Sequence, residues 1–372
     1  MSAELTITGT RQREAWQRRV MPPVEQLDQD LWSIPVPIPD NPLRYVSAYA
    51  FGTGPGLVLI DAGWGSEQSW RSLLTGLESI GAGIADVRGV LLTHMHYDHV
   101  GLAGRIRQAS GAWIAMHPAD RAVLARTDYR RAELAVALEA EFLRDLGASP
   151  AEAAAAVGTA AEWEKYATMA LADRLLTDGE LADVPGWKLR AVHTPGHTPG
   201  HLCFVDERSR RLFSGDHILP RITPNISVQR ATPPDPLGDY LDSLARTRDL
   251  DVDEVLPAHE WRFLGLTERI DAIAAPSRAA SGRTPRRGTP PPRLHAVAAG
   301  RPADLVPSLG PVQRPDADLR GHRDRGARAP AGAPRPGHRN PDPPDNVHAR
   351  AVPGLAAANP TAYVASESSV PE

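Results

Sequence analysis

The chain has 372 residues, enough for one large domain or two smaller ones, and a hydrophobic fraction of 42%, enough for a packed core. A net charge of −4 excludes a general electrostatic pull toward nucleic acid or anionic membranes, and no apolar run approaches the length of a membrane span. The single cysteine, Cys203, excludes an internal disulfide; in Leu202-Cys203-Phe204-Val205 it reads as a buried thiol suited to a reducing compartment.

Residues 1–19 are polar, carry both charge signs and lack the apolar core of a signal peptide, so they are set apart as a polar N-terminal segment and a cytoplasmic location is expected. Strands are predicted over Leu31–Val36 and Tyr45–Phe51, with a turn at 52–56. The run Leu57-Val58-Leu59-Ile60 ends in Asp61-Ala62-Gly63. A second run, Gly89–Leu92, ends in Thr93-His94-Met95-His96-Tyr97-Asp98-His99, and a helix is predicted from Val100 to Ala109. A strand over 112–116 leads to His117, read as structural.

Residues 118–176 are rich in Ala, Leu, Glu and Arg and poor in β-branched residues, which predicts a helical insertion. Ser149-Pro150-Ala151-Glu152 marks a helix start inside it, with Ser149 as cap. The insertion is expected to wall a substrate pocket, with Phe142, Trp163, Tyr166 and Met169 as candidates to line it; the competing expectation is that they pack the insertion's own core. Beyond it, Lys188–Val192 ends in His193-Thr194-Pro195-Gly196-His197-Thr198-Pro199-Gly200-His201. A hairpin follows over 201–219, containing Leu212-Phe213-Ser214-Gly215-Asp216, with His217 a candidate to face the pocket. Arg221 and Asn225 lie on an expected site-edge loop, a helix is predicted over 240–248, and the last strand runs into Pro257-Ala258-His259.

Imidazole and carboxylate are good ligands for zinc and similar metals, and residues at strand ends in layered α/β proteins are where sites assemble. Taken singly, Asp61 and Asp216 read as turn aspartates and His259 as a strand-end histidine. Taken in order, His-x-His-x-Asp-His followed by separated His, Asp and His resembles the metallo-β-lactamase-fold hydrolases, over five motifs from Asp61 to His259. The repeated Thr-Pro-Gly-His further resembles the glyoxalase II branch, although no basic cluster marks a glutathione site.

The resemblance implies an αββα sandwich, in the broad α/β (α+β) class, over residues 20–275. It implies two divalent metal ions, zinc expected and iron or manganese as alternatives. His94, His96 and His197 would hold one ion, Asp98, His99 and His259 the other, and Asp216 would bridge them. Asp98 is also implied to accept a hydrogen bond from the nucleophile, and Asp61 to orient ligands from behind. His201 is expected to support the ligands and His193 to be structural. The implied chemistry is attack by a bridging hydroxide on a small ester, thioester or lactone, with a small molecule as partner, no membrane and no clear nucleic-acid binding. Three other readings stay open: a ribonuclease or phosphodiesterase, an iron-dependent sulfur dioxygenase, and a non-catalytic metal- or partner-binding protein. Oligomeric state is not readable.

Residues 276–372 hold 18 of the 36 prolines, no tryptophan and one aromatic residue, Tyr363, so a disordered tail is expected. A second reading is a shifted frame. A helix beginning at Arg269 halts at Pro276, and degeneracy allows His295–Val312 to be reread one base later as TPWQLAGQLTWSRPWDQF.

Overall fold

The computed structural model describes residues 5–126, 132–164, 166, 169–228 and 233–281. In chain order the elements are β1 (Thr6–Ile7), α1 (Thr10–Gln17), β2 (Glu25–Asp28), β3 (Leu31–Pro37), β4 (Tyr45–Thr53), β5 (Gly56–Ile60), α2 (Glu67–Ser79), β6 (Val87–Leu91), α3 (Tyr97–Val100), α4 (Ala103–Ser110), β7 (Trp113–Met116) and α5 (Pro118–Arg126). Then come α6 (Ala132–Asp145), α7 (Pro150–Val157), α8 (Ala160–Glu164), β8 (Arg174–Leu175), β9 (Leu189–His193), β10 (Leu202–Asp206), β11 (Arg211–Gly215), α9 (Pro236–Thr247), β12 (Glu254–Pro257), β13 (Phe263–Leu264) and α10 (Leu266–Ser281).

The strands form two mixed sheets, one in the order β2-β3-β4-β5-β6-β7-β8 and one in the order β1-β13-β12-β11-β10-β9. Their inner faces meet in one buried cluster that joins Tyr49, Phe51, Val58 and Ile60 of the first sheet to Leu189, Leu202, Phe204, Phe213 and Leu256 of the second. Strand alternation sends the other face outward, where it needs a second cover. On the larger sheet Ile34, Val46, Leu59 and Val90 pack against Leu73 and Leu77 of α2 and Ile106 of α4. On the smaller sheet Cys203, Leu212, Val255 and Phe263 pack against Tyr240 and Leu244 of α9 and Ile270 and Ile273 of α10. The result is the expected αββα sandwich.

The insertion is helical as predicted: α5, α6, α7 and α8 fill most of 118–164. Ser149 caps α7 in a capping box with Glu152, and Pro150 sits in the first turn. Trp163 is fully buried and donates Nε1 to Val157 O, while Tyr166 packs edge-on against Tyr97 at 5.0 Å. Both therefore belong to the core between insertion and sheet, and Phe142 and Met169 pack against it half-buried.

Four expectations are corrected. Residues 5–19 of the N-terminal segment are not outside the fold: β1 pairs antiparallel with β13, and α1 buries Gln12 and Ala15. Trp16 meets Tyr45 and Trp261 edge-on, and the Gly9 N–H donates to Arg262 O. Polar composition concealed this because the segment's anchoring is largely hydrogen-bonded and aromatic. The 100–109 helix is divided into α3 and α4, separated at Gly101 and Leu102. Pro276 does not end the last helix: α10 runs from Leu266 to Ser281, with Ile270 and Ile273 buried in its first part. His217 turns away from the site, as described below. The rest of the tail lies outside the described residues.

Candidate metal centre

Parallel pairing aligns the carboxyl ends of β5, β6 and β7 on one rim and those of β11 and β12 on another. Asp61 follows β5, the His94–His99 loop follows β6, Asp216 follows β11 and His259 follows β12. The His197 loop joins β9 to β10. Two backbone bonds lace the sheets together here: Leu202 N to Thr93 O at 2.7 Å and Ser47 N to Ala258 O at 2.7 Å. Tyr49 Oη donates to Pro257 O at 2.7 Å and Tyr45 Oη to Glu260 O, so β4 holds the segment carrying His259.

All seven side chains assigned to metal binding come together. His94, His96 and His197 form one group, His94, His99 and Asp216 a second, and Asp98, His99 and His259 a third, each with ligand atoms within 4.8 Å of one another. Asp216 faces both ways: Oδ2 lies 3.5 Å from His197 Nε2, while Oδ1 lies 3.5 Å from His99 Nε2 and 3.2 Å from His259 Nε2. Asp98 Oδ2 lies 3.3 Å from His259 Nε2. The imidazoles are buried, whereas the Asp98 side chain keeps 15% of its surface exposed.

Four of the five rings are oriented from behind, while His96 Nδ1 faces His94 Nε2 at 3.0 Å. Nδ1 contacts run from His94 to Thr93 Oγ1 at 3.0 Å, from His99 to Asp61 Oδ2 at 2.8 Å, from His197 to Asn225 O at 2.7 Å and from His259 to Tyr45 O at 2.9 Å. A ring engaged at Nδ1 presents Nε2 forward. The Nε2 atoms of His96, His99 and His259 and Oδ1 of Asp216 are shut off from solvent yet make no hydrogen bond. Buried polar atoms are rarely left so, and a shared cation would satisfy them.

The electrostatics agree. Burial pushes His94 well below 6.5 and His96 down to about 3, with neighbouring imidazoles acting in the same sense. Burial also opposes charge on His99, but Asp61, Asp98 and Asp216 outweigh it and raise that ring to about 9; His259 is raised by Asp216 and Asp98 in the same way. Without a cation, the carboxylates recruit protons onto the very rings that face them. A donor set of imidazoles and carboxylates that attracts positive charge in this way fits divalent metal.

Asp61 is 1% exposed, and its oxygens accept from Thr93 N at 2.8 Å and Thr93 Oγ1 at 2.9 Å as well as meeting His99. It touches the ligand scaffold rather than the open side of the cluster, which narrows its expected catalytic part to positioning. His201 supports the site: Nε2 accepts from Asp216 N at 3.2 Å and Nδ1 meets Thr194 Oγ1 at 2.7 Å. Gly215, at φ 51°, lets this approach occur, because a Cβ there would sit 2.7 Å from His201 Nε2. His217 instead lies against Tyr240 and reaches Thr247 Oγ1 of α9 at 3.2 Å. His117 and His193 stack on one another, centroids 3.9 Å apart, away from the ligand groups, as their structural assignment expected.

Two residues escaped the sequence reading. Asp120, fully buried in α5, accepts from Met95 N, Thr198 Oγ1 and Gly200 N. Burial raises its pKa to about 6 against the lowering effect of those donors. Glu260, beside His259, sits at φ 68° and binds Arg221 of the site-edge loop through Nε at 3.0 Å. An aspartate two residues after a proline, and a glutamate following a ligand, carry no motif signal of their own.

This architecture, two facing mixed sheets with helices outside and a His/Asp cluster at the shared rim, defines a metal-binding αββα protein. Residues 41–259 match the metallo-beta-lactamase superfamily, and the chain belongs to it. It is 29% identical over 254 residues to the Lactamase-like protein adaB of Aspergillus niger, covering 67% of this chain and 61% of that protein. To the Atrochrysone carboxyl ACP thioesterase of Aspergillus fumigatus it is 25% identical over 233 residues, covering 63% and 42%. The chain thus spans about two-fifths to three-fifths of the length of such curated relatives. Among solved structures, a metallo-beta-lactamase family protein from Thermus thermophilus superposes with TM-score 0.61 at 28% identity, covering 68% of this chain and 81% of that one. A beta-lactamase domain protein from Burkholderia ambifaria gives 0.55 at 25%, covering 69% and 76%. Among the described residues no helix is long and apolar enough to cross a membrane.

Proposed function

We propose that the protein is a hydrolase with a dinuclear zinc centre acting on a small ester, thioester or lactone. The observation that carries the reading is the convergence of His94, His96, Asp98, His99, His197, Asp216 and His259 into overlapping ligand groups, with Asp216 turned to both. Divalent ions held there would supply Lewis acidity and lower the pKa of water toward neutrality. His94, His96 and His197 form one cradle, Asp98, His99 and His259 the other, and Asp216 spans them. Asp98, at 15% side-chain exposure, is the more accessible of the two carboxylates in the set, and is assigned to accept a proton or hydrogen bond from attacking water. Asp61 keeps His99 in the tautomer that leaves Nε2 free to bind. The ACP thioesterase relative supports the thioester arm.

Metal analysis of the purified chain comes first, with two zinc per chain expected rather than iron. A panel of thioesters, lactones, phosphodiesters and RNA follows, with turnover expected on the acyl substrates. His96→Ala is expected to cost well over ~100-fold in kcat/KM, more than removal of a residue supporting a ligand. Wild-type turnover with undiminished metal in His96→Ala would falsify the mechanism.

A further inference from the structure

We propose that Asp120 is a positioning residue whose buried carboxylate sets the spacing between the loop carrying His94 and His96 and the loop carrying His197. The inference rests on the metal-centre reading above. Its geometry is specific. Oδ2 accepts from Met95 N at 2.9 Å, the amide between His94 and His96, and from Thr198 Oγ1 at 2.8 Å, directly after His197. Oδ1 accepts from Gly200 N at 2.5 Å, on the far side of the same loop. The two loops arise from different sheets, one after β6 and the other between β9 and β10, so sheet pairing alone does not fix the distance between them. The bond from Leu202 N to Thr93 O ties one end of the junction, and Asp120 ties the other.

Three donors on two oxygens demand a carboxylate. An asparagine would turn its amide N–H₂ toward at least one N–H or O–H donor, leaving donor against donor in a site without water access. The fit also depends on Gly200, because a Cβ there would lie 2.7 Å from Asp120 Oδ1 and 2.5 Å from its backbone N. Asp120 stands in the first turn of α5, so the same carboxylate joins the start of the helical insertion to the ligands of one metal. It belongs to none of the three ligand groups, and its effect passes through the backbone at Met95 and through Thr198.

The test is cobalt titration of the metal-stripped full chain, followed by visible absorption, alongside thermal unfolding of the metal-free protein. Wild type is compared with Asp120→Asn, Thr198→Val, the double variant and His96→Ala. The expected result is that Asp120→Asn weakens one cobalt equivalent by roughly 10–100-fold, the equivalent also lost in His96→Ala, while the other stays nearly unchanged. Thr198→Val is expected to weaken the same equivalent by less, and the double variant to be no worse than Asp120→Asn alone. Both equivalents at wild-type affinity in Asp120→Asn, or both weakened together in step with a lower melting temperature, overturns the positioning role and leaves the metal-centre reading standing. A wild type that binds no cobalt overturns both. If Asp120→Asn does not fold, Thr198→Val decides: unchanged cobalt affinity there overturns the proposal.

Discussion

Asp61 shows how much one residue does here. Its φ of 61° places it in the left-handed region, which aspartate and asparagine tolerate better than most residues. Asp61→Asn therefore preserves the backbone and removes the charge facing His99. The expected outcome is a roughly 10–100-fold loss of metal affinity at the group containing His99, read by chelator competition. A second residue-scale prediction concerns His117. Burial, then the stacked His193 ring, lowers its pKa from 6.5 to about 4, and its Nδ1 accepts from Ala119 N, which requires the neutral form. Between those values the unfolded chain binds a proton that the native state refuses. The resulting stability is fully present above about pH 6.5 and is lost as pH falls toward 4. Discounted for a half-buried ring, it amounts to about 1–2 kcal/mol. Denaturant melts of His117→Phe should be flatter over that window than those of wild type.

Among the elements, the insertion separates stability from chemistry. The Ser149 cap is exposed and remote from the ligand groups, so Ser149→Ala should cost about 1 kcal/mol in unfolding while zinc content stays at the wild-type value. Trp163 is fully buried between insertion and sheet, so Trp163→Ala should cost about 3–5 kcal/mol. Sequence reading found these helices because alanine-rich composition and a capping box are local signals. It did not find that Trp163 and Tyr166 face the sheet core, because that depends on which neighbour each helix meets. Nor did it find β1, a two-residue strand whose existence depends on β13, more than 250 residues away.

For the whole molecule, the metal is expected to be part of the stability. Asp98 and Asp216 are held below the usual carboxylate range by His259 and His99 despite the opposing effect of burial, and removing cations leaves those charges to be met by protons alone. Stripping the chain with a chelator should lower its melting temperature, and adding zinc back should restore it in a concentration-dependent way. The tail is a separate question. All seven proposed ligands and α10 precede residue 282, so a chain ended after Ser281 should retain the metal stoichiometry of the full chain. A shifted frame predicts more: the coding DNA must permit TPWQLAGQLTWSRPWDQF, and the restored chain should melt higher than this one.

The strand-end motifs that carry the proposed ligands and the helical nature of the insertion were legible along the chain, and the resemblance of those motifs to a known family implied the layered fold. Ligands cluster at strand ends within short motifs, and helix and strand periodicities are local properties of the chain. Which ligand Asp61 orients, His99, became legible only once the chain was folded. Packing in three dimensions likewise turns His217 onto Thr247 of α9 and lets Asp120 clasp two loops from different sheets. Those facts depend on where separate strands end in space, which the packing of two sheets sets and no spacing along the chain records.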